Sequence, residues 1–385
     1  MTDRATEPGP GADLPRTSRA AVMHAYRSDL VLEEVALPDV LEPGAVLVRT
    51  VCATLCGTDA HLWDGRLAKF IDVAMPMIHG HETVGEVVAI HPQEQRDALG
   101  RLIKPGDRIV WSEATCGHCY GCSVLGQTVL CDHRAMGFAQ STRQHPYATG
   151  GLSEYVYVRP GAARVVVPDE VQDSWAAAAG CAVKTMIRAF GNGGNVPPGG
   201  SVVIQGAGPL GLFATAFARA HGADRVITIG GPSVRLDVAR SWGADEVISI
   251  EQEPDPQARV ELVRSLTGGR GAELVLDFAG APTANFEGVQ MCARRGNYVV
   301  VGISGPDALP MPVPAIMGGE LKVCGSMNGD IADLIASLRF LSRYRDRFDW
   351  SQLFSEPVGL SGASAALRAM ETGSVIKPVI VPAKT

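Results

Sequence analysis

Apolar and polar positions follow two different rhythms along this chain. Residues 46–53 and 85–90 crowd Val and Ile between turn-forming residues, which predicts short strands. Lys104-Pro105-Gly106-Asp107 reads as a turn that launches a further strand at 108–111. Throughout this first part, short apolar runs are broken by Gly and Pro, the texture of a β-rich domain. The rhythm changes after Cys181. Residues 183–190 fit a helix and 191–200 form a Gly/Pro-rich linker. Strand patterns at 202–205, 226–229, 246–250, 274–277 and 298–301 then alternate with helical ones at 210–221 and 234–242. Such alternation predicts a parallel sheet with helices on both faces. The chain closes with an amphipathic helix at 331–344, a short helix near 362–371 and an apolar strand at 375–381.

An α/β protein follows, with a doubly wound parallel-sheet domain at 183–328 set between two pieces, 20–182 and 329–385, of a β-rich domain. At 385 residues and 46% hydrophobic, the chain can bury two cores. A net charge of -7 lacks the basic footprint of a nucleic-acid binder, so no nucleic-acid partner is expected. No apolar run is long enough to predict a membrane span. The first residues are polar and lack the apolar core of a secretory signal. A disordered tail over 1–19 and a cytoplasmic location are therefore expected.

Gly206-Ala207-Gly208-Pro209-Leu210-Gly211 fits G-x-G-x-x-G between a buried strand and an apolar helix, the context that gives this pattern its meaning. Gly206 permits the tight turn, Gly208 lets backbone approach a pyrophosphate, and Gly211 lets helix and strand pack closely. The N–H groups after Pro209 and Leu210 face the anion. An acidic residue should close the next strand about 20 residues on, to hold the adenosine ribose. Gly230 stands there instead, which predicts weak discrimination between NAD and NADP.

Of nine cysteines, Cys116, Cys119, Cys122 and Cys131 form C-x2-C-x2-C-x8-C. One loop with this spacing can wrap four thiolates around a tetrahedral ion and leave no position for substrate, which suits structural zinc. An iron–sulfur run has a shorter last gap followed by Pro. His118 and His133 also lie in the lobe, but four sulfurs fill such a site. Three further segments carry metal-capable side chains: 52–61 with Cys52, Cys56 and His61, then His79-Gly80-His81-Glu82, then Gly180-Cys181. Singly, each reads equally well as core or satisfied polar residues.

Taken together, the chain resembles the zinc-dependent medium-chain alcohol and polyol dehydrogenases. The resemblance rests on Cys56-Gly57-Thr58-Asp59, Gly80-His81-Glu82, Lys104-Pro105-Gly106-Asp107-Arg108, the cysteine lobe, Gly150-Gly151-Leu152-Ser153-Glu154-Tyr155, Gly180-Cys181 and the glycine loop, in the family's order. It implies a GroES-like catalytic domain beside a Rossmann cofactor domain. It implies a catalytic zinc on Cys56, His81 and Cys181, with Glu82 beside it, and an open fourth position for water or substrate oxygen. Asp59 would orient His81, Thr58 would take the substrate proton, and His61 would pass it toward solvent. Thr185 and Val301 would meet the nicotinamide, Lys377 the pyrophosphate, and Arg235 the adenosine ribose. Gly57 stands where relatives carry a pyrophosphate-binding arginine.

The expected function is interconversion of a primary or secondary alcohol, with polyols, cyclitols and similar polar alcohols favoured, and its carbonyl. Expected cofactors are two Zn2+ per chain and NAD or NADP, in a homodimer or homotetramer. Trp63, Arg66, Lys69 and Phe70 are candidate pocket residues. A zinc-free reductase of alkenes and a non-enzymatic zinc scaffold are the competing readings, and the unbroken ligand set argues against both.

Overall fold

The computed structural model describes residues 14–93, 95–196, 198–303 and 310–384. A six-stranded parallel sheet takes, in chain order, Ser201–Gln205, Arg225–Gly230, Glu246–Ser249, Ala272–Asp277, Cys292–Val300 and Lys322–Gly325. In space the order is third, second, first, fourth, fifth, sixth, the doubly wound dinucleotide arrangement. Val202 and Ile204 pack on one face with Leu212, Phe213 and Phe217. Val203, Ile227 and Val275 pack on the other with Val260, Val263 and Val289. Burial on both faces explains why these strands read as continuous apolar runs.

The remaining strands are antiparallel where they pair in ladders. One sheet runs Val379–Ile380, Val46–Thr54, Glu82–Ile90, Arg108–Ala114 and Ala162–Val166, with Tyr155–Val158 also on Val46–Thr54. A smaller one joins Val31–Ala36, Thr17–Met23 and Met77–Ile78. The chain end thus returns to the β-rich part, where Leu55 N–H donates to Pro378 O at 3.1 Å. Helix Asp173–Ala178, the π-type turn Ala179–Val183 and helix Lys184–Asn192 lead from the β-rich part toward the parallel sheet. Helix Ile331–Arg343 packs against Lys184–Asn192.

Two expectations are corrected. Thr17–Arg19 belong to a strand whose partner is Val31–Ala36, so the tail expected over 1–19 does not extend that far. Its residues 1–13 lie outside the described residues. The strand expected at 375–381 shrinks to Val379–Ile380, because its antiparallel ladder extends only over Ala53 and Thr54.

Candidate active site

Cys56 caps the short helix Gly57–Trp63. Its Sγ accepts the Thr58 N–H at 3.3 Å, while Asp59 Oδ2 accepts the Cys56 N–H at 2.9 Å. This reciprocal cap fixes the Cys56 side chain and buries Asp59 beneath it. Asp59 Oδ1 lies 3.5 Å from His81 Nδ1, 3.8 Å from His79 Nδ1 and 3.3 Å from the Gly80 N–H. Burial opposes the Asp59 charge, yet the two imidazoles hold its carboxyl well below the usual carboxylate range. With Nδ1 facing Asp59, the His81 Nε2 points at Cys56 Sγ, 3.2 Å away. His79 is turned aside, its Nε2 3.1 Å from Met23 Sδ.

Cys181, on the π-type turn, completes the cluster. One ligand atom each from Cys56, His81, Glu82 and Cys181 lies within 4.8 Å of the others. The hydrogen bond from Cys181 is the largest influence holding the Cys56 thiol well below its ordinary value. Glu82 Oε1 is buried without a hydrogen-bond partner. Two sulfurs, an imidazole nitrogen and a free carboxylate oxygen converging this closely suit zinc.

Glu82 Oε2 is held from behind. It accepts Thr54 Oγ1–H at 2.5 Å and pairs with the Lys377 ammonium. Burial raises the Glu82 carboxyl despite that cation. Burial alone would lower Lys377, but Glu82, Cys56 and Cys181 together raise the ammonium above its ordinary value. Lys377, expected at the pyrophosphate, is thus fully buried, also donates to Leu55 O at 3.4 Å, and stands behind the Cys56, His81, Glu82 and Cys181 cluster. Lys377 and Glu82 lie about three quarters of the sequence apart, and the return of the chain end brings them together.

Thr58 and His61 share the helix that Cys56 caps. His61 is partly buried, and burial, reinforced by Arg66, lowers its pKa, so the imidazole is neutral near pH 7. The Phe138 ring packs on His81 with centroids 4.7 Å apart. Its sequence neighbours Met136 and Ala139 line a cavity of ≈ 440 Å³ with Phe70, Ile71, Asp72 and Arg134. Of the other candidate pocket residues, Trp63 is buried and donates to Ser28 O at 2.8 Å, Arg66 pairs with Asp64 at 2.5 Å, and Lys69 is exposed.

In the lobe, the sulfurs of Cys116, Cys119, Cys122 and Cys131 also lie within 4.8 Å of one another. His118 Nδ1 is 2.7 Å from Cys116 O and lies outside this cluster. The Cys122 backbone N–H leads the influences that lower the Cys119 thiol to about 6. Asp330 anchors the lobe. Its Oδ1 accepts Thr128 Oγ1–H at 2.5 Å and Val129 N–H at 2.6 Å, and its Oδ2 accepts Arg188 Nη1 at 2.9 Å. Neither Asp330 nor Arg188 was legible as a partner of the lobe, since nothing local marks a contact across about two hundred residues.

The glycine loop has the expected form. Gly206 takes φ +111°, and a Cβ on Gly211 would fall 1.7 Å from Gly206 O. Above Gly208 the space is open, and Pro209 begins helix Pro209–Ala220. Thr185 is buried one turn beyond Cys181. The Val301 N–H is committed to Asp277 O at 3.0 Å, which leaves its carbonyl as the group to offer a ligand. Arg235 is partly buried and donates to Gly373 O at 3.3 Å.

Fold and site together define a dehydrogenase with a dinucleotide domain and a metal-binding domain. Sequence comparison agrees: residues 42–169 match the alcohol dehydrogenase GroES-like domain, and residues 209–343 the zinc-binding dehydrogenase domain. The chain is 33% identical to 5-exo-hydroxycamphor dehydrogenase of Pseudomonas putida, over 94% of its own length and 98% of the relative's. It is 29% identical to sorbitol dehydrogenase of Bacillus subtilis, over 81% and 82%. An alcohol dehydrogenase structure from Thermotoga maritima superposes with a TM-score of 0.87 at 32% identity, covering 95% of this chain and 99% of that one. The chain belongs to the zinc-binding alcohol dehydrogenase family. It is an NAD(P)-linked enzyme of alcohol–carbonyl oxidoreduction, with zinc and a nicotinamide dinucleotide as cofactors.

Proposed function

We propose that the chain oxidises a hydroxyl to a carbonyl, and catalyses the reverse, at the Cys56–His81–Cys181 cluster. The observation that carries this reading is the convergence of those ligand atoms and Glu82 within 4.8 Å, with Thr58 and His61 on the helix that Cys56 caps. Zinc bound there supplies a Lewis acid that acidifies a hydroxyl or polarises a carbonyl. Cys56, His81 and Cys181 hold it, and Asp59 fixes the His81 tautomer. Thr58 Oγ1 accepts the hydroxyl proton, and neutral His61 carries it outward. The Gly206–Gly211 loop would hold the dinucleotide, whose nicotinamide would supply the hydride acceptor, and Thr185 and the Val301 carbonyl would position the ring. The Cys116, Cys119, Cys122 and Cys131 lobe holds a second, structural zinc.

For substrate we propose a primary or secondary alcohol with an apolar body and additional polar groups, polyols and cyclitols included. Two relatives are named for hydroxycamphor and for sorbitol. All nine cysteines are unbridged, which suits a reducing cytoplasm. Among the described residues no helix is long and apolar enough to cross a membrane. The test is a screen of polyols, cyclitols, sugars and simple alcohols with NAD and NADP, following nicotinamide absorbance. Turnover that persists after Cys56→Ala or His81→Ala, with nucleotide binding intact, rules the cluster out.

A further inference from the structure

The second strand of the parallel sheet ends at Gly230, where an acidic side chain would grip the adenosine ribose. The structure shows why none is there. A Cβ on Gly230 would fall 2.6 Å from Ala207 N and 2.7 Å from Ala207 Cβ, inside the glycine loop. This loop is seated so closely on the strand end that position 230 has no room for any side chain. A ribose clamp has to come from another element.

The neighbouring strand provides one. Gly230 pairs with Ser249, and the Ile250 N–H donates to Gly230 O at 3.0 Å. This register places residue 251 just beyond the vacant position. Glu251 Oε1 lies 3.4 Å from where a Cβ on Gly231 would be, and Ile250 Cγ1 lies 3.5 Å from the same point. The side chain is exposed, and among the described residues its carboxylate has no hydrogen-bond or ion-pair partner. An unpaired acceptor at the strand end, next to an exposed apolar isoleucine, has the chemistry to hold ribose hydroxyls beside an adenine. Arg235, the basic side chain that would answer a 2′-phosphate, is directed to Gly373 O instead.

We propose that Glu251 takes the place of the missing acid at 230, accepts hydrogen bonds from the 2′- and 3′-hydroxyls of the adenosine ribose, and repels a 2′-phosphate, so that the enzyme selects NAD(H) over NADP(H). The inference rests on the reading of the Gly206–Gly211 loop as the dinucleotide site.

The experiment measures dissociation constants for NADH and NADPH by fluorescence titration of the intact protein, without substrate. The set comprises wild type, Glu251→Gln and Glu246→Gln. The last removes the same charge at the opposite end of the same strand. Both positions are exposed, and unfolding curves confirm that the variants fold. Wild type should bind NADH more tightly than NADPH by at least about tenfold, the scale of one hydrogen bond to a charged group. Glu251→Gln should bring the two constants within about threefold of each other, and Glu246→Gln should leave the wild-type ratio intact. An unchanged ratio in Glu251→Gln, an equal shift in Glu246→Gln, or a wild-type preference for NADPH overturns the assignment. Failure of wild type to bind either nucleotide overturns it too, and takes down the dinucleotide reading as well.

Discussion

Lys377 and Glu82 are both fully buried and meet as an ion pair under Cys56 and His81. Removing one partner of such a pair leaves an uncompensated charge in the interior. Lys377→Met should therefore cost about 3–5 kcal/mol in denaturant unfolding. The double variant with Glu82→Gln should recover much of the loss. A cost below about 1 kcal/mol for the single variant would show that Glu82 is already neutral or differently paired. His61 makes a prediction in pH. Burial lowers its pKa beneath the ordinary 6.5, so the native imidazole stays neutral where the unfolded one begins to charge. Above that value His61 adds nothing to stability. As pH falls through it, the unfolded state takes up the proton first and stability declines. The acid limb of kcat that belongs to His61 should accordingly lie below 6.5. His61→Asn should lower kcat by about a hundredfold and abolish that limb. An unchanged profile would remove His61 from the relay.

The cysteine lobe is an element without its own apolar core, made of the π-type turn Tyr120–Val124 and the 3-10 turn Thr128–Leu130. Two things secure it: the four sulfurs, and Asp330 with Arg188 on the two packed helices Ile331–Arg343 and Lys184–Asn192. Cys119→Ser should chiefly damage folding, since a closed metal site contributes folding free energy. Asp330→Ala breaks a partly buried pair and a helix cap together, a loss on the order of 3 kcal/mol. It should lower the thermal midpoint while leaving the four sulfurs able to bind metal. A stable but catalytically dead Cys119→Ser protein would reassign the lobe as functional. At this scale the sequence was legible wherever chemistry is local. The glycine loop and the lobe cysteines each announce themselves within some sixteen residues. The parallel strands were legible because burial on both faces makes them unbroken apolar runs. Met77–Ile78 was missed, because it owes its strand form to distant pairing with Val22 and Met23 rather than to alternation. Lys377, Asp330 and Glu251 were illegible in their present settings for the same reason: a charged residue reads as solvated until topology shows what it faces.

For the whole molecule, two metal clusters with no shared ligand predict two zincs per chain. Elemental analysis of protein purified without added metal should approach that ratio, and a reproducible single zinc or iron in the lobe would break the assignment. The parallel sheet raises a further question of assembly. Its sixth strand, Lys322–Gly325, pairs with Cys292–Val300 on one side and with no strand among the described residues on the other. An open edge presents unpaired N–H and C=O groups that proteins cover or blunt. Here the surroundings are apolar: Val323 on the strand, Val313 and Met317 on helix Val313–Gly319, and Met327 are all exposed, Met317 at 77%. Exposed apolar groups on the elements beside a free edge suit an association surface. A second copy related by a two-fold axis would bury the same residues on both sides at once. The expected state is therefore a dimer through this edge, alone or as half of a tetramer. Light scattering after size exclusion should give at least twice the chain mass at micromolar concentration. Met317→Glu should shift it toward the monomer while leaving zinc content unchanged, because the Met317 side chain is exposed and lies outside the chain's own core. A monomeric wild type, or a dimer indifferent to Met317→Glu, would show that this edge is not what joins the subunits.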